Sequence, residues 1–350
     1  MNAIETDVLI IGAGPIGIEL AVALKRAGVL HVQLDAGQIG STIHWYAPQT
    51  HFFSSPERIA ISGVPLQTLD QTKATREEYL TYLRAVVLQF DLDIQTYERV
   101  TSLIHRSDGL FDVTSLRQDG QRRWLARNVI LAIGDMHHPR LLEIPGEELP
   151  HVSHYFRDPH LYFRRRVLIV GGKNSAIEAA IRCVRVGAEV TLSYRGDELD
   201  PRHIKFWLFP EIHGLIRDRR MNFLPETLVR EIRTDRVLLE DAQGGAASGG
   251  VVEVGADHVL LLTGYEQNPE LLEQAGVTLV GPERRPYIHA GTMESNVPGL
   301  FVAGTAVAGT QSRGVHEFIE TAHVHVDRIV AALTGAAPPA ERSLFEMPES

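Results

Sequence analysis

The sequence contains one cysteine, Cys183, so the 350-residue chain cannot form an intrachain disulfide. A redox relay between two cysteines of the same chain is excluded for the same reason. Cys183 lies near the apolar residues Ile181 and Val184 in a predicted helix. A free cysteine in such a setting packs as a small hydrophobic side chain, so we expect a core residue rather than a reactive thiol.

Long hydrophobic runs and positive charge are also scarce. No apolar run approaches the roughly 20 residues of a membrane-spanning helix, and no signal-peptide pattern precedes the first predicted strand. The chain has 34 Lys and Arg residues against 44 Asp and Glu residues, a formal net charge of −10. Because nucleic-acid surfaces need clustered positive charge, we expect no nucleic-acid partner. The lack of a long apolar run and of a signal-peptide pattern predicts no membrane partner and a cytoplasmic location.

The 16 histidines show no spacing that is typical of a metal site. His151 and His154 are three residues apart, but they fall in a proline-rich segment without a cysteine or carboxylate at matching spacing. His323 and His325 are two residues apart in a predicted helix, so they point to different faces. No metal site is predicted.

A nucleotide-binding sequence is present near the start of the chain. An apolar strand at residues 8–11 leads into Gly12-Ala13-Gly14-Pro15-Ile16-Gly17, a full G-x-G-x-x-G fingerprint, and an apolar helix follows. The next strand ends at Asp35, 23 residues after Gly12, and Ala36-Gly37 follow it. The glycines permit a tight turn and close approach of a pyrophosphate, and the acid suits a ribose hydroxyl pair.

A second unit of the same kind begins 159 residues later. Residues 167–170 lead into Gly171-Gly172-Lys173-Asn174-Ser175-Ala176, and the strand at 189–193 ends at Tyr194-Arg195. A cation here suits a 2′-phosphate, so the two units are expected to bind different nucleotides, FAD first and NADPH second. Lys173 is expected near the pyrophosphate and Gly264 beside the nucleotide. Candidate helpers at the 2′-phosphate are Ser193, Arg202, His203 and Lys205.

Alternating strands and helices predict an α/β protein with two Rossmann-like, three-layer nucleotide-binding domains. The FAD domain is expected to be discontinuous, at 1–135 and 265–350, with the NADPH domain at 136–264 inserted in it. Further segments are predicted from periodicity and turn residues: a helix at 75–90, meander strands at 100–104, 110–115 and 124–133, a linker at 139–166, a hairpin tip at 244–250, a returning strand at 300–303 and a helix at about 315–333.

Several motifs together resemble the two-domain flavin reductases of the thioredoxin-reductase type, and more narrowly the bacilliredoxin reductase (bacillithiol-disulfide reductase) subgroup. The motifs are Phe52-Phe53-Ser54-Ser55, Ile144-Pro145-Gly146-Glu147, His154-Tyr155-Phe156, Gly171-Gly172-Lys173-Asn174-Ser175-Ala176 and Tyr194-Arg195-Gly196. Two features depart from the pattern. The segment at 152–158 lacks the Cys-x-x-Cys of thioredoxin reductases, and Ile16 stands where the subgroup typically has a cysteine.

The resemblance implies further FAD contacts and a homo-oligomeric state. It places Val100 near the adenine, Gly134 beside the FAD, and Gly304-Thr305 at the ribityl-phosphate portion, although the family usually has Asp at Thr305. His316 is either a cation that stabilises reduced flavin or a capping or surface histidine. The remaining residues expected in the FAD site are Phe52, Ala132 and Phe318.

These observations predict an NADPH-dependent FAD oxidoreductase that passes electrons to a small or protein-borne acceptor. A low-molecular-weight disulfide would have to meet the flavin without a resident redox cysteine. Three alternatives stay open: a ferredoxin- or flavodoxin-NADP reductase, a flavin monooxygenase and a non-catalytic redox sensor. The monooxygenase linker motif F-x-G-x-x-x-H is absent from the sequence.

Overall fold

A computed structural model describes residues 3–242, 250–312 and 316–337 of the chain. Its strands, in chain order, are β1 Ile4–Ile11, β2 His31–Leu34, β3 Ile94–Gln95, β4 Arg99–His105, β5 Phe111–Arg117, β6 Gly120–Leu131, β7 His138–Pro139, β8 Val152–Ser153, β9 Arg166–Val170, β10 Glu189–Ser193, β11 Asn222–Leu224, β12 Thr227–Ile232, β13 Arg236–Asp241, β14 Val252–Gly255, β15 His258–Leu261, β16 Tyr265–Glu266, β17 Leu279–Val280, β18 Arg285–Pro286 and β19 Leu300–Val302.

Helices lie between some of these strands along the described chain. The α-helices are α1 Pro15–Arg26, α2 Ser41–His44, α3 Pro56–Ile59, α4 Arg76–Gln89, α5 Asn174–Arg185, α6 Leu208–Arg217, α7 Glu270–Gln274 and α8 Ile319–Thr334. Short 3-10 helices span Pro159–Tyr162, Pro201–His203 and Gly304–Ala308. Within the described residues, no helix combines the length and the apolar character that crossing a membrane requires.

The chain divides into two compact units. The first comprises the described parts of Met1–His44, Gln49–His138 and Tyr265–Ser350, and the second comprises Trp45–Pro48 and Pro139–Gly264. The second unit therefore interrupts the first along the chain. These boundaries lie within three residues of the expected positions 135/136 and 264/265, apart from the short Trp45–Pro48 segment.

The first unit is built on a sheet with the order β3-β2-β1-β6-β5-β4, and β19 also pairs with β6. β1 is parallel to both β2 and β6, and β19 is parallel to β6 through Leu300 and Val129, so the expected returning strand is confirmed. The expected antiparallel meander is β4, β5 and β6. Because β1, β2, β6 and β19 are parallel, the loops that follow them lie at one edge of the sheet.

The second unit has a sheet with the order β11-β10-β9-β15-β8, in which all the pairs are parallel. The expected linker at 139–166 is wrong in part, because Val152 and Ser153 form β8 and pair with β15. The sequence did not show this, since two residues are too short to reveal a period. β13 and β14 form the expected hairpin, whose tip at 244–249 lies outside the described residues.

Two helix starts illustrate what the sequence determines locally. Thr75 begins α4 with a capping box, in which its hydroxyl accepts the Glu78 N–H and Glu78 accepts the Thr75 N–H, as the expected helix requires. The last helix was expected from about residue 315, but α8 begins at Ile319. The Gln311 Oε1 atom accepts the N–H groups of His316 and Glu317, so these residues are held outside the helix.

Candidate functional site: two strand-glycine-helix units

The first glycine loop needs glycine at two positions for steric reasons. Gly12 has φ +113°, and a Cβ there would lie 2.2 Å from the Ala132 carbonyl oxygen. A Cβ on Gly17 would lie 2.2 Å from the carbonyl oxygen of Gly12. At Gly14 no atom lies within 4 Å of the Cβ position, so the space above this residue is open. Gly14 is also the N-cap of α1 and supplies no side chain, which leaves the helix N-terminus available for an anion.

Asp35 connects the end of β2 to the glycine loop. Its Oδ2 accepts the Ala13 N–H at 2.6 Å and its Oδ1 accepts the Gly37 N–H at 2.7 Å. Burial raises the pKa of Asp35, whereas the hydrogen bonds from Gly37 and Ala13 and the charge of Arg99 act against that rise. A carboxylate has about four lone-pair positions, so each oxygen retains one for a ribose hydroxyl.

Gln33 is a supporting residue that the sequence analysis missed. It lies in β2, is buried, and donates from Nε2 to the Gly12 carbonyl oxygen at 2.8 Å. Gly12 in turn donates its N–H to the Leu34 carbonyl oxygen at 2.8 Å. The turn is thus held from β2 at two points. A strand glutamine carries no motif, and only its position opposite the fingerprint glycine could have indicated this role.

In the first unit, the loop after β6 lies beside the 3-10 helix Gly304–Ala308. Gln267 joins them, because its Nε2 donates to the carbonyl oxygens of Gly134 at 3.2 Å and Ala306 at 2.9 Å. Gly134 and Gly304 have φ values of +77° and +69°, which favour glycine. A Cβ on Gly304 would contact Ile16 at 3.5 Å, so Ile16 packs directly against this turn.

His325 holds the Gly304 turn from α8. It is 5% exposed, and its Nδ1 accepts the Gly304 N–H at 3.2 Å, which requires the unprotonated ring nitrogen. Burial lowers the pKa of His325 to about 4, and the nearby Arg328 and His323 act in the same direction. The folded-state pKa is therefore below the unfolded value of about 6.5. The stability that this histidine contributes is complete above about pH 6.5 and is lost as the pH falls towards 4.

We expect His325→Asn to flatten this pH dependence, because Asn can accept the same hydrogen bond without titrating. Between pH 7 and pH 4.5, the wild-type protein should lose about 2 to 3 kcal/mol more unfolding free energy than the variant. Urea unfolding of both proteins at the two pH values measures the difference. Burial also lowers the pKa of His137 to about 4. This histidine titrates in both proteins, so its contribution to the loss of unfolding free energy is the same in both. Equal losses in the two proteins would contradict the assignment.

Gln311 binds the backbone of His316 and Glu317, which precede α8. Besides accepting the His316 and Glu317 N–H groups, it donates from Nε2 to Asp135 Oδ2 at 2.9 Å. A cavity of about 190 Å³ opens beside it. Its lining residues are Glu283, Arg285, Val307, Ala308, Gln311, Ser312, His316 and Glu317. His316 is thus brought to an open space, in the segment before α8 rather than in the helix itself.

The other residues expected in the FAD site are spread around the same unit. Phe52 is half-buried, and its ring centroid lies 4.6 Å from that of Tyr79. Val100 is half-buried in β4, next to a shift of register. Phe318 is the N-cap residue of α8 and is 37% exposed. Their contacts with a nucleotide stay predictions.

The glycine loop of the second unit repeats the contacts of the first. Gly171 donates its N–H to the Ser193 carbonyl oxygen at 3.0 Å, as Gly12 does to Leu34. A Cβ on Gly171, which has φ +140°, would lie 2.5 Å from the Leu262 carbonyl oxygen. A Cβ on Gly172 would lie 2.3 Å from the Tyr194 ring, so this glycine makes room for the tyrosine. The structure therefore contains the same strand-turn-helix arrangement twice.

The residues around this second loop differ in their exposure to solvent and in their side-chain partners. Lys173 is the N-cap of α5, exposed, and makes no side-chain capping bond. Arg195 is also exposed, and no side-chain partner for it is found among the described residues. Ser175 is exposed and Ala176 is buried at the start of α5. At Gly264, φ is +104° and no atom lies within 4 Å of the Cβ position.

Three of the expected helpers are engaged elsewhere. Ser193 is fully buried, and its hydroxyl lies 2.8 Å from that of Thr227, so it does not face a ligand. Lys205 is 9% exposed, its Nζ lies 3.3 Å from Glu178 Oε2, and its backbone N–H donates to Asn174 Oδ1. Ser193 and Lys205 are therefore bonded to other residues of the second unit.

The third is Arg202, which is paired with Asp200. The Arg202 Nη2 atom lies 2.7 Å from Asp200 Oδ2, and His203 lies 3.8 Å from the same oxygen. Hydrogen bonds from Arg202 lower the pKa of Asp200 to about 2. Of the cations proposed from the sequence, Arg195 and Lys173 are therefore the ones that are exposed and form no ion pair with the residues that the structure describes.

Cys183 lies in α5 and is fully buried in the hydrophobic core of the second unit. Burial raises the pKa of its thiol to about 12. The expected core position is thereby confirmed. Among the residues that the structure describes, no group of three or more His, Cys, Asp or Glu side chains is arranged to hold a metal ion.

Two glycine-loop units of this geometry, one ending in a carboxylate and the other in an exposed guanidinium, define the class of oxidoreductases that bind two dinucleotides. A family model described as pyridine nucleotide-disulphide oxidoreductase matches residues 9–304. The chain belongs to this family. It is accordingly a flavin-dependent pyridine nucleotide oxidoreductase with FAD and NADPH as cofactors, as expected from the sequence.

Comparisons with individual proteins agree with the expected subgroup. Bacilliredoxin reductase Bdr of Bacillus subtilis (strain 168) is 32% identical over 94% of this chain and 98% of that protein. The solved structure of bacillithiol disulfide reductase Bdr from Bacillus cereus has a TM-score of 0.88 at 32% identity, and the match covers 95% of this chain and 99% of the other. T. acidophilum thioredoxin reductase shares the fold, with a TM-score of 0.72 at 21% identity over 95% and 98% of the two chains.

Proposed function

We propose that this chain uses NADPH to reduce a low-molecular-weight disulfide through FAD, and that no cysteine of its own takes part. The first unit would hold FAD: the open space at Gly14 and the uncapped start of α1 fit a pyrophosphate, and Asp35 has free acceptor positions for a ribose. FAD, when bound, supplies the chemistry that converts hydride transfer into reduction of the acceptor.

The second unit would hold NADPH. Lys173, the exposed N-cap residue of α5, would contact the pyrophosphate, and the exposed Arg195 would contact the 2′-phosphate. The guanidinium is planar and pairs with phosphate oxygens through two parallel hydrogen bonds. Lys205 is not needed for this contact, since Glu178 balances its charge.

The disulfide acceptor is supported by the relatives rather than by a motif. The names of both Bdr proteins describe reductases, of a bacilliredoxin in one case and of bacillithiol disulfide in the other, and each match covers nearly the whole chain. The reaction balances as NADPH, one proton and one disulfide giving NADP⁺ and two thiols. Two electrons enter and leave in each cycle, so no further reductant is required.

The proposal that no cysteine of the chain takes part is supported by the burial of the Cys183 thiol. A thiol exchanges with a disulfide only as the thiolate. Burial raises the pKa of Cys183 to about 12 and removes it from solvent, so it is neither ionised nor reachable near neutral pH. At the glycine-loop position where the subgroup typically has a cysteine, Ile16 is 6% exposed and packs against Gly304.

A ferredoxin-NADP reductase is the second candidate, because a protein of that name from Ignicoccus hospitalis is 25% identical over 85% of this chain. Charge argues against it. The expected NADPH domain at 136–264 has 17 basic and 18 acidic residues, which leaves 17 basic and 26 acidic residues for the expected FAD domain. That negative balance repels an acidic partner protein.

Steady-state NADPH oxidation with rival acceptors tests the proposal. Bacillithiol disulfide, glutathione disulfide, quinones, ferredoxin and oxygen are compared at equal concentration, with thiols counted in parallel. We expect a disulfide to accelerate NADPH oxidation well above the oxygen rate and to yield two thiols per NADPH. Acceleration by ferredoxin alone would establish the second candidate, and slow oxidation with every acceptor would indicate a redox sensor. Light scattering of the same preparation tests the expected homo-oligomer.

The variant Cys183→Ala tests the role of the thiol separately. We expect unchanged disulfide reduction, because the thiol lies in the core, and a loss of about 1 kcal/mol in stability from the small cavity. Activity is measured with bacillithiol disulfide and stability by urea unfolding. A loss of disulfide reduction with retained NADPH-dependent oxygen consumption would show that Cys183 reacts, against the proposal.

A further inference from the structure

Asp135 is an acidic residue that neither glycine fingerprint nor any of the recognised motifs contains. It follows Gly134 directly, beyond the end of β6. Its carboxylate accepts hydrogen bonds from the Thr305 hydroxyl and, at 2.9 Å, from Gln311 Nε2. Asp135 therefore joins the loop after β6, the 3-10 helix Gly304–Ala308 and the segment before α8.

The orientation of Gln311 is fixed, which makes Asp135 an obligatory acceptor. The Gln311 Oε1 atom accepts the N–H groups of His316 and Glu317, so the side-chain amide cannot flip without losing both hydrogen bonds. The Gln311 Nε2 atom must then donate, and it donates to Asp135 and to the Glu317 carbonyl oxygen. The backbone positions of His316 and Glu317 beside the cavity thus depend, through Gln311, on an acceptor at residue 135.

The geometry points to Asp135 as a positioning residue of the FAD site. It holds the Thr305 hydroxyl and, through Gln311, the backbone of His316 and Glu317 in the arrangement that receives the flavin end of the cofactor. This inference rests on the proposed FAD site in the first unit. Asp135 thereby places a carboxylate next to Thr305, in a 3-10 helix that has no acid of its own.

A carboxylate suits this position better than an amide or a hydroxyl. Two donors, the Thr305 hydroxyl and the Gln311 amide, converge on Asp135, and a carboxylate offers two acceptor oxygens and no donor. Asparagine keeps the shape but has one oxygen, so its NH₂ group would face one of the donors. Hydrogen bonds to a charged acceptor are about twice as strong as neutral ones, so the substitution should loosen both segments.

The test is FAD affinity in the full-length protein, measured by isothermal titration of the apoprotein with FAD. We expect Asp135→Asn to weaken FAD binding about ten- to a hundredfold. The matched control is Asp112→Asn, which removes a carboxylate on β5 that is paired with Arg123 on β6 of the same unit and should leave the affinity unchanged. The apoprotein melting temperature of each variant reports on folding.

Rescue separates positioning from a general loss of structure. In the double variant Asp135→Asn with Thr305→Asp, the carboxylate returns from the 3-10 helix, and FAD affinity should recover to within about threefold of wild type. Wild-type affinity in Asp135→Asn, or weak binding that Thr305→Asp does not restore, would overturn the inference. If the wild-type protein itself fails to bind FAD, the proposed function fails instead, so the two results are distinguishable.

Discussion

Asp35→Ala is expected to yield a protein that is purified without colour. The substitution removes the charged acceptor of the Ala13 and Gly37 N–H groups together with the positions left for a ribose. Losing hydrogen bonds to a charged group costs about 1.5 to 3 kcal/mol each, so we expect FAD to bind at least about a hundredfold more weakly. The ratio of flavin absorbance to protein after purification measures the effect.

Asp108→Ala provides the control for this prediction. Asp108 also accepts a backbone N–H, from Leu110 at 3.2 Å, but it lies in an exposed turn between β4 and β5. The control should keep its flavin. If Asp35→Ala remains folded and retains wild-type FAD content, the first unit does not bind the adenosine ribose through this acid.

Arg195→Ala is expected to remove the preference for NADPH over NADH. The exposed guanidinium would pair with the 2′-phosphate, which NADH lacks, so the KM for NADPH should rise about ten- to a hundredfold while the KM for NADH stays within about twofold. Steady-state kinetics with both nucleotides and one disulfide acceptor give the ratio.

Arg202→Ala is the matched control, since it removes an arginine from the same loop region. The Arg202 Nη2 atom forms an ion pair with Asp200 Oδ2 at 2.7 Å, so we expect less than a threefold change in the KM for NADPH. Equal effects of the two substitutions would indicate a diffuse electrostatic contribution. A parallel rise for NADH in Arg195→Ala would mean that the guanidinium contacts a part common to both nucleotides.

The parts of the site that could be predicted from the sequence are those determined by neighbours along the chain. The fingerprint from Gly12 to Gly17 and the acid Asp35 belong to one strand-helix-strand segment, and the structure joins them through the Ala13 N–H. Thr75 and Glu78 predicted the start of α4 in the same way. In each case a known motif with a fixed spacing relates the residues: the capping box for Thr75 and Glu78, and the glycine fingerprint followed by an acid at the end of the next strand for Asp35.

The parts that could not be predicted depend on residues far apart in sequence. Asp135 and Gln311 are 176 residues apart and meet only because β6 and β19 are parallel neighbours. Lys205 was expected at a phosphate because its charge is visible in the sequence, whereas its partner Glu178 lies 27 residues away on α5. The start of α8 was placed too early because apolar periodicity does not report a side chain that binds backbone amides.

A crystal structure of the protein with FAD and NADP⁺ tests the central claim most directly. We expect the Asp35 carboxylate within about 3 Å of the ribose hydroxyls of the FAD adenosine, and the Arg195 guanidinium within about 3 Å of the NADP⁺ 2′-phosphate. Adenosine bound away from Asp35, or a 2′-phosphate that contacts other cations while Arg195 remains in solvent, would contradict the account.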